Sequence, residues 1–244
     1  MRSRIYCPEA LQAGMTITLT EGAAAHVGKA LRLRDGDPLV LFDGSGLEYA
    51  ARIESIDRRA ITVAVDEATD PGTESPLDIT LLQGLCRGQR MDMLIQKSTE
   101  LGVAAIRAIS CERSVSRVDG ARRDRKLEHW RQVAISACEQ SGRVTLPLIA
   151  GPTPLPSTLA ALDTDCGMRL LLDPGADRSL GDGIDAVRSV ALLIGPEGGL
   201  TDGERATARE AGFVPVRIGP RILRTETAPL AAISILQHLA GDFA

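Results

Sequence analysis

The chain is poor in aromatic side chains: its 244 residues include one Trp, two Tyr and three Phe. So few rings cannot build the repeated base-stacking platforms that grip single-stranded nucleic acid. Cysteine is sparse as well. The five cysteines stand at 7, 86, 111, 138 and 166, with no CxxC pair among them. That spacing speaks against a cysteine-based zinc site, and no metal is expected. An odd, scattered set also speaks against a disulfide framework and for reduced thiols in a cytoplasmic protein. No apolar run approaches the roughly 20 residues of a membrane span. The start, Met1 to Glu9, lacks the apolar core of a signal peptide. Net charge is only −4. Taken over the whole chain, this arithmetic argues against a nucleic-acid partner.

Charge is present, however, and it is unevenly placed. Residues 1–75 carry 8 Lys/Arg against 12 Asp/Glu, residues 76–144 carry 12 against 8, and residues 145–244 carry 8 against 12. The middle third is a basic zone inside an acidic chain. A local field of this kind steers a polyanion more effectively than the total charge suggests.

The hydrophobic period changes along the chain. Thr16–Leu19, Pro38–Phe42, Tyr49–Ile53 and Ala60–Val65 are short, β-branched or alternating, and one short helix is expected over Ala23–Leu31. This is the pattern of a small β-barrel over residues 1–70. The stretch Thr69 to Pro76 is polar and holds two Pro and one Gly, which makes 71–77 the expected linker. From residue 78 onward strand and helix alternate. Strands are expected at Asp78–Leu85, Ala104–Ser110, Arg169–Leu172, Val190–Ile194 and Val214–Ile218. Helices are expected at Met91–Leu101, Ala121–Ser141, Glu204–Ala211 and Pro229–Ala240, with Pro147–Pro156 as a proline-rich connection. Such alternation predicts an α/β domain with a parallel sheet over 78–244.

In a parallel α/β sheet, ligands bind in the loops at the carboxyl ends of strands. Three such loops are unusual. Leu171-Leu172-Asp173-Pro174-Gly175 follows one strand. Gly195-Pro196-Glu197-Gly198-Gly199 follows another, and its three glycines let bare N–H and C=O groups approach an adenine or a carboxylate. The third loop, Ile218 to Ala228, places Arg221, Arg224 and Glu226 just before a helix. Thr225 or Thr227 is expected to cap that helix, and Glu226 suits its positive end. The two planar guanidinium groups beside them suit a phosphate or a carbonyl. Nucleotide-binding alternatives fit poorly. Gly44-Ser45-Gly46 lacks the third glycine of a dinucleotide fingerprint. Gly22 to Gly28-Lys29 has one residue too many for a phosphate loop, with Ala30 in place of Ser/Thr.

Gly195 to Gly199 together with Ile218-Gly219-Pro220-Arg221-Ile222-Leu223-Arg224-Thr225-Glu226-Thr227-Ala228 closely resembles the bacterial small-subunit ribosomal RNA uridine-N3 methyltransferase family, within the SPOUT superfamily. Arg4-Ile5-Tyr6, His26 with Ala30 to Leu33, Leu41 to Gly44, Gln96 to Val103, and Trp130 with Glu139 to Arg143 carry the resemblance along nearly the whole chain. The resemblance implies a PUA-like barrel followed by a SPOUT parallel-sheet domain closed by a deep trefoil knot. It implies a cytoplasmic homodimer that binds S-adenosyl-L-methionine and acts on small-subunit ribosomal RNA or the assembled subunit, without metal or membrane. The cofactor would lie on Leu172, Asp173, Ile194, Gly195, Pro196, Glu197, Gly198, Gly199, Ile218, Gly219, Leu223, Thr225, Thr227 and Ala228. Arg221 or Arg224 would orient the uracil or its phosphate; Glu226 is a candidate base beside its stronger role at the helix end, and proton loss to solvent is the alternative. Arg4, His26, Arg32, Lys97, Arg113, Arg117, Arg122, Arg123 and Arg125 are the candidate RNA contacts. Two other classes stay open on sequence: a SPOUT enzyme modifying another RNA position, and a non-catalytic RNA-binding assembly protein.

Overall fold

The computed structural model describes all residues except 1–2, 26, 28–32, 58–59, 115–119, 163–166, 185–186 and 244. The chain forms two compact units. One comprises Met1–Glu74 with Cys138–Leu146, the other Ser75–Ala137 with Pro147–Ala244.

The first unit is built on a five-stranded mixed sheet with the order β1-β3-β4-β5-β2. Its strands are β1 (Arg4–Tyr6), β2 (Thr16–Thr18), β3 (Pro38–Phe42), β4 (Glu48–Ile56) and β5 (Ile61–Thr69). All pairings are antiparallel except that of β1 with β3. In β4, Tyr49, Ala51 and Ile53 are buried in turn, the period of two that one buried face requires. They meet Ile5, Leu39, Leu41, Ile61, Val63 and Val65 in one core. Burying each large aliphatic side chain contributes about 1.5–3 kcal/mol. Of the helix expected over Ala23–Leu31, α1 (Glu21–Ala25) covers the start, and residues 26 and 28–31 of the expectation lie outside the described residues. β1 is absent from the sequence-based expectation, because three residues are too few to show a period.

Two buried charged groups of this unit are paired within it. The Arg4 guanidinium meets the Glu48 carboxylate, donates to the Gly142 and Arg143 carbonyls at 3.1 and 3.2 Å, and lies 5.5 Å from the Phe42 ring centre. Glu74 accepts from Arg143 Nε and Nη2 at 3.0 and 2.7 Å, and from the Val144 and Thr145 N–H groups at 2.9 and 3.0 Å. Burial pushes the Glu74 carboxyl up, but these hydrogen bonds and the arginine charge outweigh it and hold it below its ordinary value.

The second unit holds a six-stranded, wholly parallel sheet in the order β11-β9-β10-β6-β7-β8. The strands are β6 (Asp78–Gly84), β7 (Ala105–Ser110), β8 (Leu148–Pro154), β9 (Met168–Leu172), β10 (Ser189–Ile194) and β11 (Val214–Val216). The helices are α2 (Arg90–Glu100), α3 (Ala121–Ser141, whose last residues belong to the first unit), α4 (Leu155–Ala160), α5 (Asp202–Glu210) and α6 (Thr227–Ala240). Alternate strand residues enter two cores. Ile79, Leu81, Ile106, Leu170, Val190 and Leu192 pack with Met91, Leu94, Trp130, Ile233 and Leu236. Leu82, Ile109, Leu171, Ala191 and Leu193 pack with Leu155, Leu159, Ala208 and Phe213. Both faces are covered, which is why these strands read as continuous apolar runs.

One expectation is overturned here. Pro147–Pro156 is not a connection: it contains strand β8 and the start of α4. β8 lies at the sheet edge, where a missing proline N–H breaks no second ladder. A cis Gly151–Pro152 bond and a register shift on β7 between Arg107 and Ile109 accommodate the prolines.

Candidate active site

Three loops leave the carboxyl ends of β9, β10 and β11, neighbours in the sheet, and a cavity of about 490 Å³ opens between them. Leu172, Asp173, Ile194, Gly195, Pro196, Glu197, Gly199, Ile218, Leu223, Thr225 and Ala228 line it, with Arg221, Arg224 and Glu226. Three of the expected cofactor residues are not in the lining. Gly198 backs onto Arg113, whose Nη1 donates to its carbonyl at 3.2 Å. Gly219 and Thr227 are exposed on the outer side of their loop.

Glycine decides how closely the β10 loop can lie to β6. A Cβ on Gly84 would come within 2.3 Å of Pro196 N, so only glycine fits there. Glu197 closes the same side. Its Oε1 accepts from the Arg87 N–H at 2.9 Å and from Arg90 Nη1 at 3.2 Å. Burial raises the Glu197 carboxyl, but Arg87, its own backbone N–H and Arg90 together hold it below the ordinary carboxylate value. Arg90 also reaches Glu226: Nε lies 3.6 Å from Oε1.

The capping expectation for the last loop is corrected. Glu226 is the N-cap residue of α6, and it makes no side-chain cap bond. The Thr227 and Ala228 N–H groups are satisfied by the Arg224 carbonyl at 2.9 Å. Thr225 turns the other way and donates to the Gly195 carbonyl at 2.9 Å. Backbone therefore closes this helix end, and the side chains of Arg224 and Glu226 are left for the cavity. Glu226 Oε2 is buried and has no partner among the described residues.

Near the pocket floor, burial pushes the Cys86 thiol up to about 11, against the lowering effect of Thr225. It is no nucleophile at neutral pH. Sequence reasoning missed Arg90, Arg205 and Leu200 in the lining; Leu171, Pro174 and Ile222 also line it and fall within the loops it named. Arg90 lies in a helix whose sequence signal is its apolar face, and nothing local ties it to loops more than 100 residues away.

The candidate RNA contacts separate into three groups. His26, Arg32 and Arg117 lie outside the described residues. Arg4 is largely buried in its ion pair, and Lys97 pairs with Glu100 at 2.8 Å. Arg113, Arg122, Arg123 and Arg125 are exposed, the last three on the first turns of α3. Among the described residues no helix is long and apolar enough to cross a membrane.

Comparison with known proteins gives these loops a context. Residues 73–237 match the model of an RNA methyltransferase domain, and residues 19–66 that of an RNA methyltransferase PUA domain. The chain is 33% identical to ribosomal RNA small subunit methyltransferase E of Buchnera aphidicola subsp. Schizaphis graminum, over 98% of this chain and 97% of that one. It is 29% identical to the Bacillus subtilis protein of the same name, over 93% of each. The crystal structure of ribosomal RNA small subunit methyltransferase E from Neisseria gonorrhoeae, bound to S-adenosyl methionine, superposes with a TM-score of 0.93 at 38% identity, covering both chains fully. With the RNA methyltransferase model matched over more than half of its length and relatives this similar from end to end, the chain belongs to the ribosomal RNA small subunit methyltransferase E family.

Proposed function

We propose that the protein is an S-adenosylmethionine-dependent methyltransferase acting on N3 of one uridine in small-subunit ribosomal RNA. The observation that carries this reading is the convergence of the β9, β10 and β11 loops on one cavity that holds Arg221, Arg224 and Glu226 together. The cavity fits the cofactor. Its volume lies within the roughly 300–1,000 Å³ usual for small-molecule sites. Leu172, Ile194, Ile218, Leu223 and Ala228 offer apolar wall for an adenine. Glycine backbone at 195 and 199 presents peptide groups, and the carboxylates of Asp173 and Glu197 in the lining would suit the donor's ammonium.

S-adenosylmethionine, when bound, supplies a methyl group on a sulfonium, an electrophile that needs only an electron pair. The rest falls to side chains of this chain. Uracil N3–H is a weak acid, and its proton must leave before N3 can act. Arg221 and Arg224, exposed beside the cavity, orient the base and stabilise the negative charge that spreads to its carbonyl oxygens. Glu226 Oε2, buried and free of a cap bond, accepts the proton. Arg90 holds the other oxygen of that carboxylate in place.

The finer reading has the second unit threaded as a trefoil knot and the enzyme working as a cytoplasmic homodimer. The first unit is a PUA-like grip on RNA, and the exposed arginines of α3 contact phosphates. The proposed functional division is that of the sequence reading, barrel over 1–70, linker over 71–77 and catalytic domain over 78–244, with Cys138–Leu146 packed in the first unit. Titration calorimetry with S-adenosylmethionine, paired with a methyl-transfer assay on Arg224→Ala, tests the site. Micromolar binding by the parent and a turnover loss of about 100-fold in the variant are expected. Absent binding, or unchanged turnover with unchanged RNA affinity, would contradict it.

A further inference from the structure

The carboxyl end of β6 carries a buried amide that the reading so far leaves without a role. Gln83 is fully buried and does not line the cavity. It pairs in register with Ile194, the last residue of β10 before the glycine loop. Its Nε2 donates to the Gly84 carbonyl at 3.0 Å and to Thr225 Oγ1 at 3.2 Å. Thr225 spends its own hydroxyl proton on the Gly195 carbonyl, at 2.9 Å.

The direction of this relay follows from the chemistry of its members. An amide nitrogen can only donate, so Oγ1 must accept from it, and the single hydroxyl proton is then free for the carbonyl. A flipped amide would set Oε1 against the Gly84 carbonyl, acceptor against acceptor. In the orientation present, Oε1 has no partner among the described residues. The side chain is thus held through its donor alone. The backbone agrees: the Gly195–Pro196 peptide lies so close to β6 that a Cβ on Gly84 would stand 2.7 Å from Gly195 C.

We infer that Gln83 is a positioning residue for binding of the methyl donor: through Thr225 it pins the 194–199 and 218–228 loops onto the end of β6, so their peptide groups meet the donor already aligned. This rests on the reading of the cavity as the S-adenosylmethionine site. The 194–199 loop holds three glycines and a proline in six residues, and Glu197 and Glu226 tie the two loops to the Arg87–Arg90 segment rather than to the end of β6. A buried, polarised relay supplies the anchor, and preorganisation of this kind raises affinity without touching the ligand.

A double-mutant cycle tests it. S-adenosylmethionine binding is measured by calorimetry for the parent, Gln83→Met, Thr225→Val, the double variant and Thr225→Ser. Amide hydrogen exchange over 195–199 and 222–226 is followed in the ligand-free proteins. Each single break should raise Kd about tenfold, and the double variant should show about the same tenfold rise, because both substitutions cut one relay. Thr225→Ser, which keeps the hydroxyl, should lose less affinity than Gln83→Met. Exchange in both loops should quicken in Gln83→Met before any ligand is added. A parent-like Kd and exchange pattern in Gln83→Met, or a multiplicative loss of about 100-fold in the double variant, would overturn the inference. Should Thr225→Val not fold, Gln83→Met and Thr225→Ser decide alone. If the parent itself fails to bind, the cavity reading falls and the relay with it. If the parent binds and Gln83→Met binds equally, only the relay falls.

Discussion

Two sets of charged groups, one in each unit, are held in different ways. In the first, Arg4 is enclosed by Glu48, two carbonyls and the Phe42 ring, and Glu74 accepts four hydrogen bonds around Arg143. Both groups are turned inward and bound within the unit, although Arg4 Nε keeps no hydrogen-bond partner among the described residues. At the strand ends of the second unit, Arg221 and Arg224 are exposed and Glu226 keeps a buried oxygen without a partner among the described residues. Natural proteins leave few buried polar atoms unsatisfied, and those left are worth explaining. Arg4 and Arg143 are therefore part of the architecture. An arginine on the loop before α6 is available to a ligand.

Breaking the first kind should cost stability and spare the ligand. Glu74→Gln strips the buried Arg143 guanidinium of its carboxylate, and a loss of about 3 kcal/mol is expected in denaturant unfolding, with S-adenosylmethionine affinity unchanged. The same group sets an acid limit. A carboxyl held below its ordinary value of 4.5 stabilises the folded state above that value, and the contribution disappears as pH falls through the folded pKa. Below pH 4.5 the parent should therefore lose stability more steeply than Glu74→Gln.

Breaking the second kind should do the reverse. Arg224→Ala is expected to lower turnover by about 100-fold, close to 2.7 kcal/mol, while its melting temperature stays at the parental value. A smaller effect is expected on α3. Replacing Arg122, Arg123 and Arg125 together by Ala should weaken RNA binding. The slope of log affinity against log salt should fall by about 0.7–0.9 for each phosphate that is no longer neutralised. The same change at Arg4 should lower stability instead. The smallest effect concerns the thiols. Burial pushes Cys7, Cys111 and Cys138 up to about 12 and Cys86 to about 11. Alkylation of these four in the folded protein should be slow, Cys86 leading, and become fast on unfolding; mass spectrometry of a time course checks the order.

How much of this can be read from the residues differs between the units too. The sheet strands of the second unit are legible because both faces are covered, so apolar runs such as Val190–Ile194 mark themselves. The glycine and arginine loops are legible because their composition has no use in a helix or strand interior. The edge strand β8 is hidden by its prolines, and nothing local announces that Cys138–Leu146 packs in the first unit. The capping role expected of Thr225 fails for the same reason. A threonine before a helix is locally a good cap, and only the tertiary fold brings the Gly195 carbonyl and Gln83 within its reach. Arg90 and Gln83 escape notice because their partners are distant in sequence.

The central claim is the target atom. The most direct test supplies the purified protein and labelled S-adenosylmethionine to small-subunit ribosomal RNA, free and within assembled subunits, from a bacterium deleted for its own enzyme of this family. The digested nucleosides are then identified by mass spectrometry. The account predicts label in N3-methyluridine alone, at one position and approaching one methyl per RNA. Label on a ribose hydroxyl or another base, or no transfer to either form of the RNA by protein that binds the cofactor, would contradict it.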